Sequence, residues 1–328
     1  PPPRIEARAW LLIDAASGLP LAERNPDAKV EPASLTKLMT AYIAFSAIQE
    51  GRLALNQELS VSEKAWKAEG SRMFLDPKRR VTVEDLLKGV IVQSGNDACI
   101  ALAEGIAGSE ESFVAVMNQM AKKLGMTHTH FMNVTGLPHP QHTTTARDLS
   151  RLAGALIRDF PDFYKYYAMK SFAYNGISQP NRNRLLFMDP SVDGVKTGHT
   201  ESAGYCLIAS AKREQRRLLS VVLGAGSDGA RAMESQKLLN YGFQFFETVK
   251  LYPANQAVSS LRIYKGKGGE VKAGFLSDFH VTVPRGMSKN IQAQLVTQQP
   301  LLAPVRRGQQ LGTLRLSVDG QQIGRAHV

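Results

Sequence analysis

The order in which the hydrophobic pattern changes along this chain of 328 residues restricts its possible folds more than any other feature. Apolar and polar residues alternate over residues 8–24, around the turn Ser17-Gly18, which predicts a β-hairpin. Apolar residues then recur at helical spacing over residues 32–158, and the alternation returns over residues 192–223, before a last helix at 230–248. Strands, a long helical middle, strands again and a final helix are typical of an antiparallel sheet flanked by helices.

Turn and capping residues give approximate bounds for the individual elements. Thr82 and Asp85 make a capping box for one helix, and Asp228 is the predicted cap of the last one. The predicted helices extend from Pro32 to near Gly51 and over residues 82–90, 97–106, 110–124 and 146–158, and the predicted strands of this part extend over residues 194–197, 205–211 and 217–223.

The C-terminal part of the chain has a different pattern. Short apolar runs of alternating type are separated there by Gly, Pro and Asn, which predicts a small all-β module. We therefore expect two domains, residues 1–249 and 250–328, with the boundary in residues 250–255. The predicted strands of the module are residues 258–263, 279–283, 291–296 and 313–318.

Charge and cysteine content exclude several classes of protein. The formal net charge of +11 suits an anionic partner, but the basic residues are dispersed and their largest cluster is only Lys78-Arg79-Arg80. No nucleic-acid-binding motif is present, so we expect no nucleic-acid partner. The two cysteines, Cys99 and Cys206, exclude a disulfide framework and a Cys-based zinc site. No apolar stretch is long enough for a membrane span.

The segment Ser34-Leu35-Thr36-Lys37 carries the first candidate for chemistry. A serine hydroxyl is a weak nucleophile unless a nearby base takes its proton. Residues i and i+3 of a helix share a face, so Ser34 and Lys37 can come within hydrogen-bonding distance. A position at a helix start adds free backbone N–H groups that stabilise negative charge. The spacing alone is weak support, because it also arises by chance.

Two further segments complete a pattern. Ser94-Gly95-Asn96 lies between two predicted helices, where Gly permits a tight turn that directs a hydroxyl and an amide into a cleft. Lys196-Thr197-Gly198 lies on a predicted strand and supplies a cation, a hydroxyl and a position without a side chain. Each segment alone would be interpreted as an ordinary turn or strand end. Together, in this order and in these structural contexts, the three indicate an active-site serine enzyme.

These motifs resemble those of the low-molecular-mass class C penicillin-binding proteins, the D-alanyl-D-alanine carboxypeptidases of the penicillin-binding protein 5 and 6 group. The resemblance extends over essentially the whole chain. It implies an α+β fold: a serine β-lactamase/transpeptidase-like domain, with an antiparallel sheet flanked by helices, and a second, smaller all-β domain. Further stretches similar to the family are residues 89–99, 145–148, 179–184 and 192–200.

The resemblance implies a role for each catalytic residue. Ser34 attacks the carbonyl carbon between the two terminal D-alanines, and Lys37 takes the proton from its hydroxyl. Lys37 must be neutral to do so, and we expect burial beside Lys196 to lower its pKa. Ser94 passes a proton to the departing nitrogen, and Asn96 orients the substrate amide.

The remaining predicted site residues bind the substrate. The backbone N–H groups of Ser34 and His199 are the expected oxyanion hole. Thr197 and Arg231, together with Lys196, receive the terminal carboxylate of the peptide. Gly198 leaves room for a substrate that lies along the strand. Arg182 is a weaker candidate for support of the carboxylate.

Other functions fit parts of the pattern. A serine β-lactamase of class A needs a Glu-x-x-Leu-Asn loop that activates water, and residues 131–145 contain no Glu. A penicillin-sensing domain would stay acylated, and the C-terminal β-module argues against it. A metallopeptidase could use the loop histidines His128, His130, His139 and His142, but the chain has no His-Glu-x-x-His motif.

The partners and the location follow from the same resemblance. The expected substrate is a peptidoglycan stem peptide ending in D-Ala-D-Ala, β-lactams are expected covalent inhibitors, and no cofactor or metal is expected. Export to the periplasm is implied, with peripheral attachment to the cytoplasmic membrane through a C-terminal amphipathic helix that residues 324–328 do not provide. The start, Pro1-Pro2-Pro3-Arg4, resembles a mature or trimmed terminus rather than an intact signal peptide.

Overall fold

The computed structural model describes residues 1–264, 270–297 and 301–328. Within these ranges the chain forms two compact units. The first consists of Pro1–Ile13 and Ala22–Asn240, and the second of Asp14–Leu21 and Tyr241–Val328. The predicted boundary between residues 249 and 250 falls inside a strand of the second unit, Phe246–Tyr252. The limits given above for the two domains stay a prediction.

The strands of the N-terminal part form one large sheet and two small two-stranded sheets. Their bounds are β1 (Ala9–Asp14), β2 (Pro20–Arg24), β3 (Glu58–Leu59), β4 (Val81–Thr82), β5 (Ser171–Tyr174), β6 (Ile177–Pro180), β7 (Val192–Thr200), β8 (Gly204–Arg213) and β9 (Arg216–Ala225). The large sheet has the order β2-β1-β9-β8-β7, while β3 pairs with β4 and β5 with β6.

The central sheet confirms the predicted fold class. β7 pairs antiparallel with β8, and β8 pairs antiparallel with β9. The middle residues of β8 and β9 are buried on both faces, because helices cover the sheet. β7 is an edge strand of this sheet, and an edge strand can accept an extended peptide beside it. This edge carries the Lys196-Thr197-Gly198 motif.

The helices lie between β2 and β7 in the chain, except for the last one. Their bounds are α1 (Lys37–Gln49), α2 (Glu63–Trp66), α3 (Val83–Val92), α4 (Asn96–Ala107), α5 (Glu110–Lys123), α6 (Ala146–Asp159), α7 (Leu185–Met188) and α8 (Asp228–Phe245), and short 3-10 helices cover Ala33–Thr36, Phe163–Ala168 and Ser288–Asn290. The predicted helices are all present. α2, α7 and the 3-10 helices are too short for periodicity to predict them.

Capping explains where several of these helices begin. The hydroxyl of Thr82 accepts a hydrogen bond from the backbone N–H of Asp85, as predicted, and Thr145 caps α6 in the same way. α1 is buried almost all round, since apolar residues occupy nearly every position from Leu38 to Ala47. α1 is therefore held in the interior of the first unit, and it fixes the position of the residues at its N-terminus.

The structure differs from the prediction at the end of α8. The helix ends at Phe245 instead of continuing to Thr248, and strand β10 (Phe246–Tyr252) follows at once. Thr248 and Val249 are β-branched, and in β10 they pair with Thr282 and Val281 of an antiparallel strand. The pairing of β10 with this strand therefore decides where α8 ends, although the preceding aromatic residues recur at helical spacing.

From Phe246 onwards the described residues form strands and one short 3-10 helix, Ser288–Asn290, which confirms the predicted all-β module. Its further strands are β11 (Ala257–Tyr264), β12 (Glu270–Gly274), β13 (Phe279–Pro284), β14 (Ile291–Thr297), β15 (Leu301–Leu302), β16 (Gly312–Val318) and β17 (Gln321–His327). They form the sheets β10-β13, β12-β11-β15 and β14-β16-β17 around a small apolar core that includes Val281, Val283, Leu314 and Leu316. β12 and β17 were not predicted, because charged and polar residues interrupt their alternation.

Candidate active site

Ser34 and Lys37 lie at the N-terminal end of α1, as the spacing predicts. Ser34 belongs to the 3-10 turn Ala33–Thr36 and is partly exposed, whereas Lys37 is the first residue of α1 and only 2% exposed. The Nζ atom of Lys37 lies 3.0 Å from the Oγ atom of Ser34. The buried amine is therefore within direct proton-transfer distance of the hydroxyl.

Ser94 connects this pair to the second motif. It lies between α3 and α4 with a φ of 55°, a left-handed conformation that few residues other than glycine adopt. In this conformation both its carbonyl oxygen and its hydroxyl face the same amine. They lie 2.8 Å and 2.9 Å from the Nζ atom of Lys37. Ser94 thus fixes the orientation of the Lys37 amine.

Strand β7 supplies a second buried lysine. The Nζ atom of Lys196 lies 2.9 Å from the Oγ atom of Ser94 and 3.1 Å from the carbonyl oxygen of Thr197. The hydroxyl of Ser94 therefore lies between two amines, those of Lys37 and Lys196. Both lysines are buried, and the three motifs meet at this hydroxyl.

Gly198 brings the backbone of β7 against the nucleophile. A Cβ atom at this position would lie 3.2 Å from the backbone nitrogen of Ser34 and 3.3 Å from that of Leu35. These contacts are tighter than side chains normally make, so only glycine permits this approach without displacement of the backbone. The approach places Ser34 beside the edge strand that carries His199.

Burial sets the protonation of the two lysines. The pKa of Lys37 is lowered to about 8, chiefly by burial, and the positive charge of Arg182 acts in the same direction. The pKa of Lys196 is well below its ordinary value, chiefly because of burial and then because of the charge of Lys37. Burial therefore lowers the pKa of Lys37 as expected, but the neighbouring cation that contributes is Arg182 rather than Lys196. A neutral amine beside Ser34 is accessible near neutral pH.

Asn96 offers an unused acceptor. Its side-chain nitrogen donates to the carbonyl oxygen of Glu69 at 2.7 Å, and its backbone N–H donates to the carbonyl oxygen of Ser71 at 2.7 Å. Its buried Oδ1 atom has no hydrogen-bond partner in the described part of the chain. Buried acceptors are rarely left unpaired, so this oxygen is suited to a ligand N–H.

The predicted carboxylate-binding residues surround the end of the same strand. Arg231 is buried, forms an ion pair with Asp228 at 2.7 Å, and donates to the carbonyl oxygen of Gly198 at 3.2 Å. Arg182 is exposed, and its guanidinium donates to the Oγ atom of Ser71 at 2.7 Å. A cavity of about 420 Å³ at this end is lined by Asn181, Arg182, Arg184, His199, Tyr205, Asp228 and Arg231.

The ring of His199 lines this cavity and is held by two contacts. Its exposed ring stacks on Tyr205, with 3.9 Å between the ring centroids, and its Nδ1 atom lies 3.1 Å from the carbonyl oxygen of Gly204. The ring is therefore held against strand β8.

A sequence model described as D-alanyl-D-alanine carboxypeptidase, peptidase family S11, matches residues 1–227. The chain belongs to this carboxypeptidase family. A second model, described as the C-terminal domain of penicillin-binding protein 5, matches residues 246–328. The two matches together confirm the resemblance stated above, and they include both units of the structure.

Relatives support this membership of the carboxypeptidase family. The chain is 47% identical to D-alanyl-D-alanine carboxypeptidase DacC of Escherichia coli K12, over 98% of this chain and 82% of that protein. Penicillin-binding protein 5 from Haemophilus influenzae has a similar structure, with a TM-score of 0.94 and 41% identity over 100% of this chain and 97% of that one. Penicillin-binding protein D2 from Listeria monocytogenes, solved in an ampicillin-bound form, covers 74% of this chain and 100% of its own, with a TM-score of 0.69 and 31% identity.

Two buried residues beside the site of this carboxypeptidase, Asp97 and Gly136, were not singled out in the sequence. The carboxylate of Asp97 accepts hydrogen bonds from the backbone N–H groups of Met73 and Leu75, both at 3.0 Å. Gly136 has a φ of 94°, and a Cβ atom there would overlap the carbonyl oxygen of Ala33. An acidic residue in the first turn of a helix and a glycine in a loop are common, so neither gives a signal in the sequence.

The loop histidines do not form the metal site considered above. The Nδ1 atom of His142 accepts from the backbone N–H of Met132 at 2.8 Å, and its Nε2 atom lies 2.8 Å from the hydroxyl of Thr36. Both ring nitrogens therefore already have protein partners. No group of metal-binding side chains is found in residues 1–264, 270–297 and 301–328. His142 instead supports the turn that carries Ser34.

Proposed function

We propose that this chain is a serine-type D-alanyl-D-alanine carboxypeptidase that removes the terminal D-Ala from peptidoglycan stem pentapeptides through an acyl-enzyme. β-Lactams acylate the same serine, because their amide is an analogue of the dipeptide. The observation that carries the proposal is the contact of one buried amine, that of Lys37, with the hydroxyls of both Ser34 and Ser94.

The hydrogen bonds of Lys37 define the first step. A neutral amine has two N–H donors and one lone pair. The carbonyl oxygen and the hydroxyl of Ser94 accept its two N–H groups, so the lone pair is left for the hydroxyl of Ser34. Lys37 takes the proton as the Oγ atom of Ser34 bonds to the carbonyl carbon of the peptide. The backbone N–H groups of Ser34 and His199 stabilise the resulting oxyanion.

The second step expels D-Ala. The carbon–nitrogen bond breaks, and the leaving nitrogen needs a proton. Lys37 holds that proton, and the hydroxyl of Ser94 lies next to its amine, so Ser94 donates its own proton to the nitrogen and receives one from Lys37. The amine of Lys196 stabilises the Ser94 oxygen during this exchange.

Hydrolysis of the acyl-enzyme completes the cycle. A water molecule attacks the ester carbon and loses a proton to the same amine–hydroxyl pair. The bond to the Oγ atom of Ser34 then breaks, and that oxygen regains a proton. The products are the shortened peptide and the free enzyme, so no cofactor or metal is consumed or required.

Substrate orientation follows from the groups around this centre. The unpaired Oδ1 atom of Asn96 accepts from a peptide N–H on the acyl side of the scissile bond. On the other side, Thr197, Lys196 and Arg231 bind the terminal carboxylate, and Arg182 adds positive charge at the same end of the cleft. The substrate then lies along β7, past Gly198.

Replacement of the nucleophile tests the proposal. We expect Ser34→Ala to abolish release of D-Ala from an acyl-D-Ala-D-Ala peptide, measured by an enzyme-coupled assay for D-Ala. Ser46→Ala is the control, because Ser46 lies in α1 and its hydroxyl contacts only Glu50 among the described residues. Release of D-Ala by Ser34→Ala at the wild-type rate would contradict the proposal.

We also propose that the protein is exported to the periplasm and that the full-length protein associates peripherally with the outer face of the cytoplasmic membrane. The location of the proposed substrate supports export, and the net charge of +11 supports binding to an anionic membrane surface. None of the described helices is both long and apolar enough to cross a bilayer. Cell fractionation tests this proposal, and recovery only in the cytoplasm would contradict it.

A further inference from the structure

The cavity at the end of β7 is larger than a single D-Ala requires. Its volume is about 420 Å³, and cavities of roughly 300–1,000 Å³ take ligands of the size of a drug molecule. A leaving D-Ala brings only a methyl group and a carboxylate into this space. The cavity therefore has room for a leaving residue with a longer side chain.

The charged residues around this space do not balance. Arg182, Arg184 and Arg231 line the cavity, and Asp228 is the one acidic residue among the described residues that do so. Three guanidinium groups and one carboxylate leave two positive charges uncompensated. The α-carboxylate of the leaving residue compensates one of them. One positive charge thus remains for a second anionic group of the ligand.

Asp228 holds two of these arginines next to each other. One of its carboxylate oxygens lies 2.7 Å from an Nη atom of Arg231, and the other lies 2.6 Å from the Nε atom of Arg184. Two guanidinium groups that share one carboxylate are close neighbours. A ligand with two carboxylates on a short aliphatic chain can therefore reach both of them.

Arg231 and Arg184 differ in the bonds that they already make. Arg231 is buried, donates to the carbonyl oxygen of Gly198 at 3.2 Å, and lies over the ring of Tyr205 at 5.3 Å from its centroid. These contacts fix Arg231 beside β7, next to the scissile bond. The side chain of Arg184 is 60% exposed, and its closest contact with Asp228 is made through Nε. Its two Nη groups are therefore available to a ligand.

We propose that Arg184 and Arg231 together form a subsite for a leaving residue that carries a second carboxylate in its side chain, as D-Glu does. Arg231 binds the α-carboxylate, and the Nη groups of Arg184 bind the side-chain carboxylate. This inference rests on the proposed function and adds a preference for a dicarboxylic leaving residue over a neutral one of the same size. The reaction itself is the same hydrolysis through Ser34.

Two synthetic peptides test this subsite. They are acyl-D-Ala-D-Glu and acyl-D-Ala-D-Gln, which share the acyl group and differ only in the charge of the last side chain. The released amino acid is measured by chromatography. For the wild type we expect a higher kcat/KM with D-Glu than with D-Gln. In Arg184→Gln we expect the ratio of the two values to fall about fivefold, the upper end of what an exposed ion pair contributes.

Arg24→Gln is the control for removal of a positive charge. Arg24 is exposed and lies on β2, at the edge of the central sheet opposite to β7, so this variant should keep the wild-type ratio. An unchanged ratio in Arg184→Gln, an equal fall in Arg24→Gln, or no preference for D-Glu in the wild type would overturn the subsite.

The peptide acyl-D-Ala-D-Ala, with the same acyl group, measures the proposed function separately. If the wild type releases D-Ala from it but does not prefer D-Glu to D-Gln, the carboxypeptidase assignment is supported and only the subsite is overturned. If the wild type releases no amino acid from any of the three peptides, both are overturned.

Discussion

At the level of single residues, the charge of Lys37 decides whether Ser34 can be activated. The amine is a base only when it is neutral, and burial lowers its pKa to about 8. The neutral fraction therefore rises about tenfold per pH unit up to that value and then levels off. This behaviour gives a pH dependence that can be measured on the acylation step alone.

We expect the rate constant for acylation by penicillin to rise with pH between about 6 and 8 and to reach a plateau above that range. Stopped-flow measurement with a chromogenic or fluorescent penicillin across this range is the test. Lys37→Arg should be inactive at every pH, because a guanidinium does not lose its proton in proteins. A wild-type rate that is independent of pH from 6 to 9 would exclude Lys37 as the base.

The close approach of Gly198 to Ser34 can also be tested by a single substitution. A methyl group there would crowd the backbone nitrogens of Ser34 and Leu35 and the carbonyl oxygen of Pro32, and backbone atoms cannot move aside as a flexible side chain can. We expect Gly198→Ala to lower the acylation rate about tenfold or more, because it displaces a proposed oxyanion donor.

Gly154→Ala is the matched control for this change. Gly154 lies in α6, and a Cβ atom added there would lie 3.9 Å from its nearest neighbour, a side-chain carbon of Leu219. Alanine should therefore be neutral or stabilising at this position. Both variants are to be compared in penicillin acylation and in Tm. Full acylation activity in Gly198→Ala would show that the close approach of β7 to Ser34 is unnecessary.

The contacts among the proposed catalytic residues could be predicted from the sequence because short motifs fix their spacing. Lys37 follows Ser34 by three residues, so one helical turn is enough to bring its amine to the Ser34 hydroxyl. Asp97 and Gly136 could not be predicted, because their roles depend on segments that meet only in the folded chain. The left-handed conformation of Ser94 could not be predicted either, since in the segment Ser-Gly-Asn the glycine would be expected to adopt it.

At the scale of elements, the turn that carries Ser34 is supported from the loop between α5 and α6. His142 of that loop lies between the hydroxyl of Thr36 and the backbone N–H of Met132. Its Nδ1 atom accepts, so its Nε2 atom bears the proton and donates to Thr36. Burial lowers the pKa of His142 to about 4, and the charges of His130 and His139 act in the same direction.

This pairing predicts a loss of stability on acidification. The unfolded chain binds a proton at His142 near pH 6.5, whereas the folded chain resists protonation down to about pH 4. The stabilisation is therefore complete above about pH 6.5 and is lost progressively as the pH falls towards 4, by about 3 kcal/mol at most. The free energy of unfolding in urea, measured at pH 7.5 and pH 5, reports this difference.

The matched variant is His142→Gln, which keeps a donor and an acceptor but does not titrate. We expect its free energy of unfolding to fall less than that of the wild type between the two pH values. An equal fall in both proteins would show that other groups, and not His142, determine the acid sensitivity.

Long elements with a regular apolar period could be predicted, and short or interrupted ones could not. α4, α5 and α6 have the predicted positions to within about two residues, which is the usual uncertainty at helix ends. Each strand of the hairpin β5-β6 has only four residues, too few for periodicity to predict it. In the structure Phe172 and Tyr174 of this hairpin pack against the apolar core of the first unit, and Gln179 donates to the carbonyl oxygen of Arg72. The end of α8 was misplaced because pairing with β13 decides it.

At the scale of the whole molecule, the sequence order of strands and helices was enough to predict an antiparallel sheet with helices and a C-terminal all-β unit. The inclusion of Asp14–Leu21 in the second unit could not be predicted from the sequence. The turn in that segment is an ordinary hairpin turn by its residues, and its contacts with the C-terminal unit are made at long sequence separation, for example between Ser17 and Thr282.

We propose that a buried lysine, Lys37, activates Ser34 for acylation. Mass spectrometry after incubation with benzylpenicillin tests it most directly. We predict one covalent adduct per chain, located by peptide mapping on the segment that contains Ser34 and absent from Ser34→Ala and Lys37→Arg. An adduct on a different residue, or full labelling of Ser34→Ala, would contradict this role of Ser34.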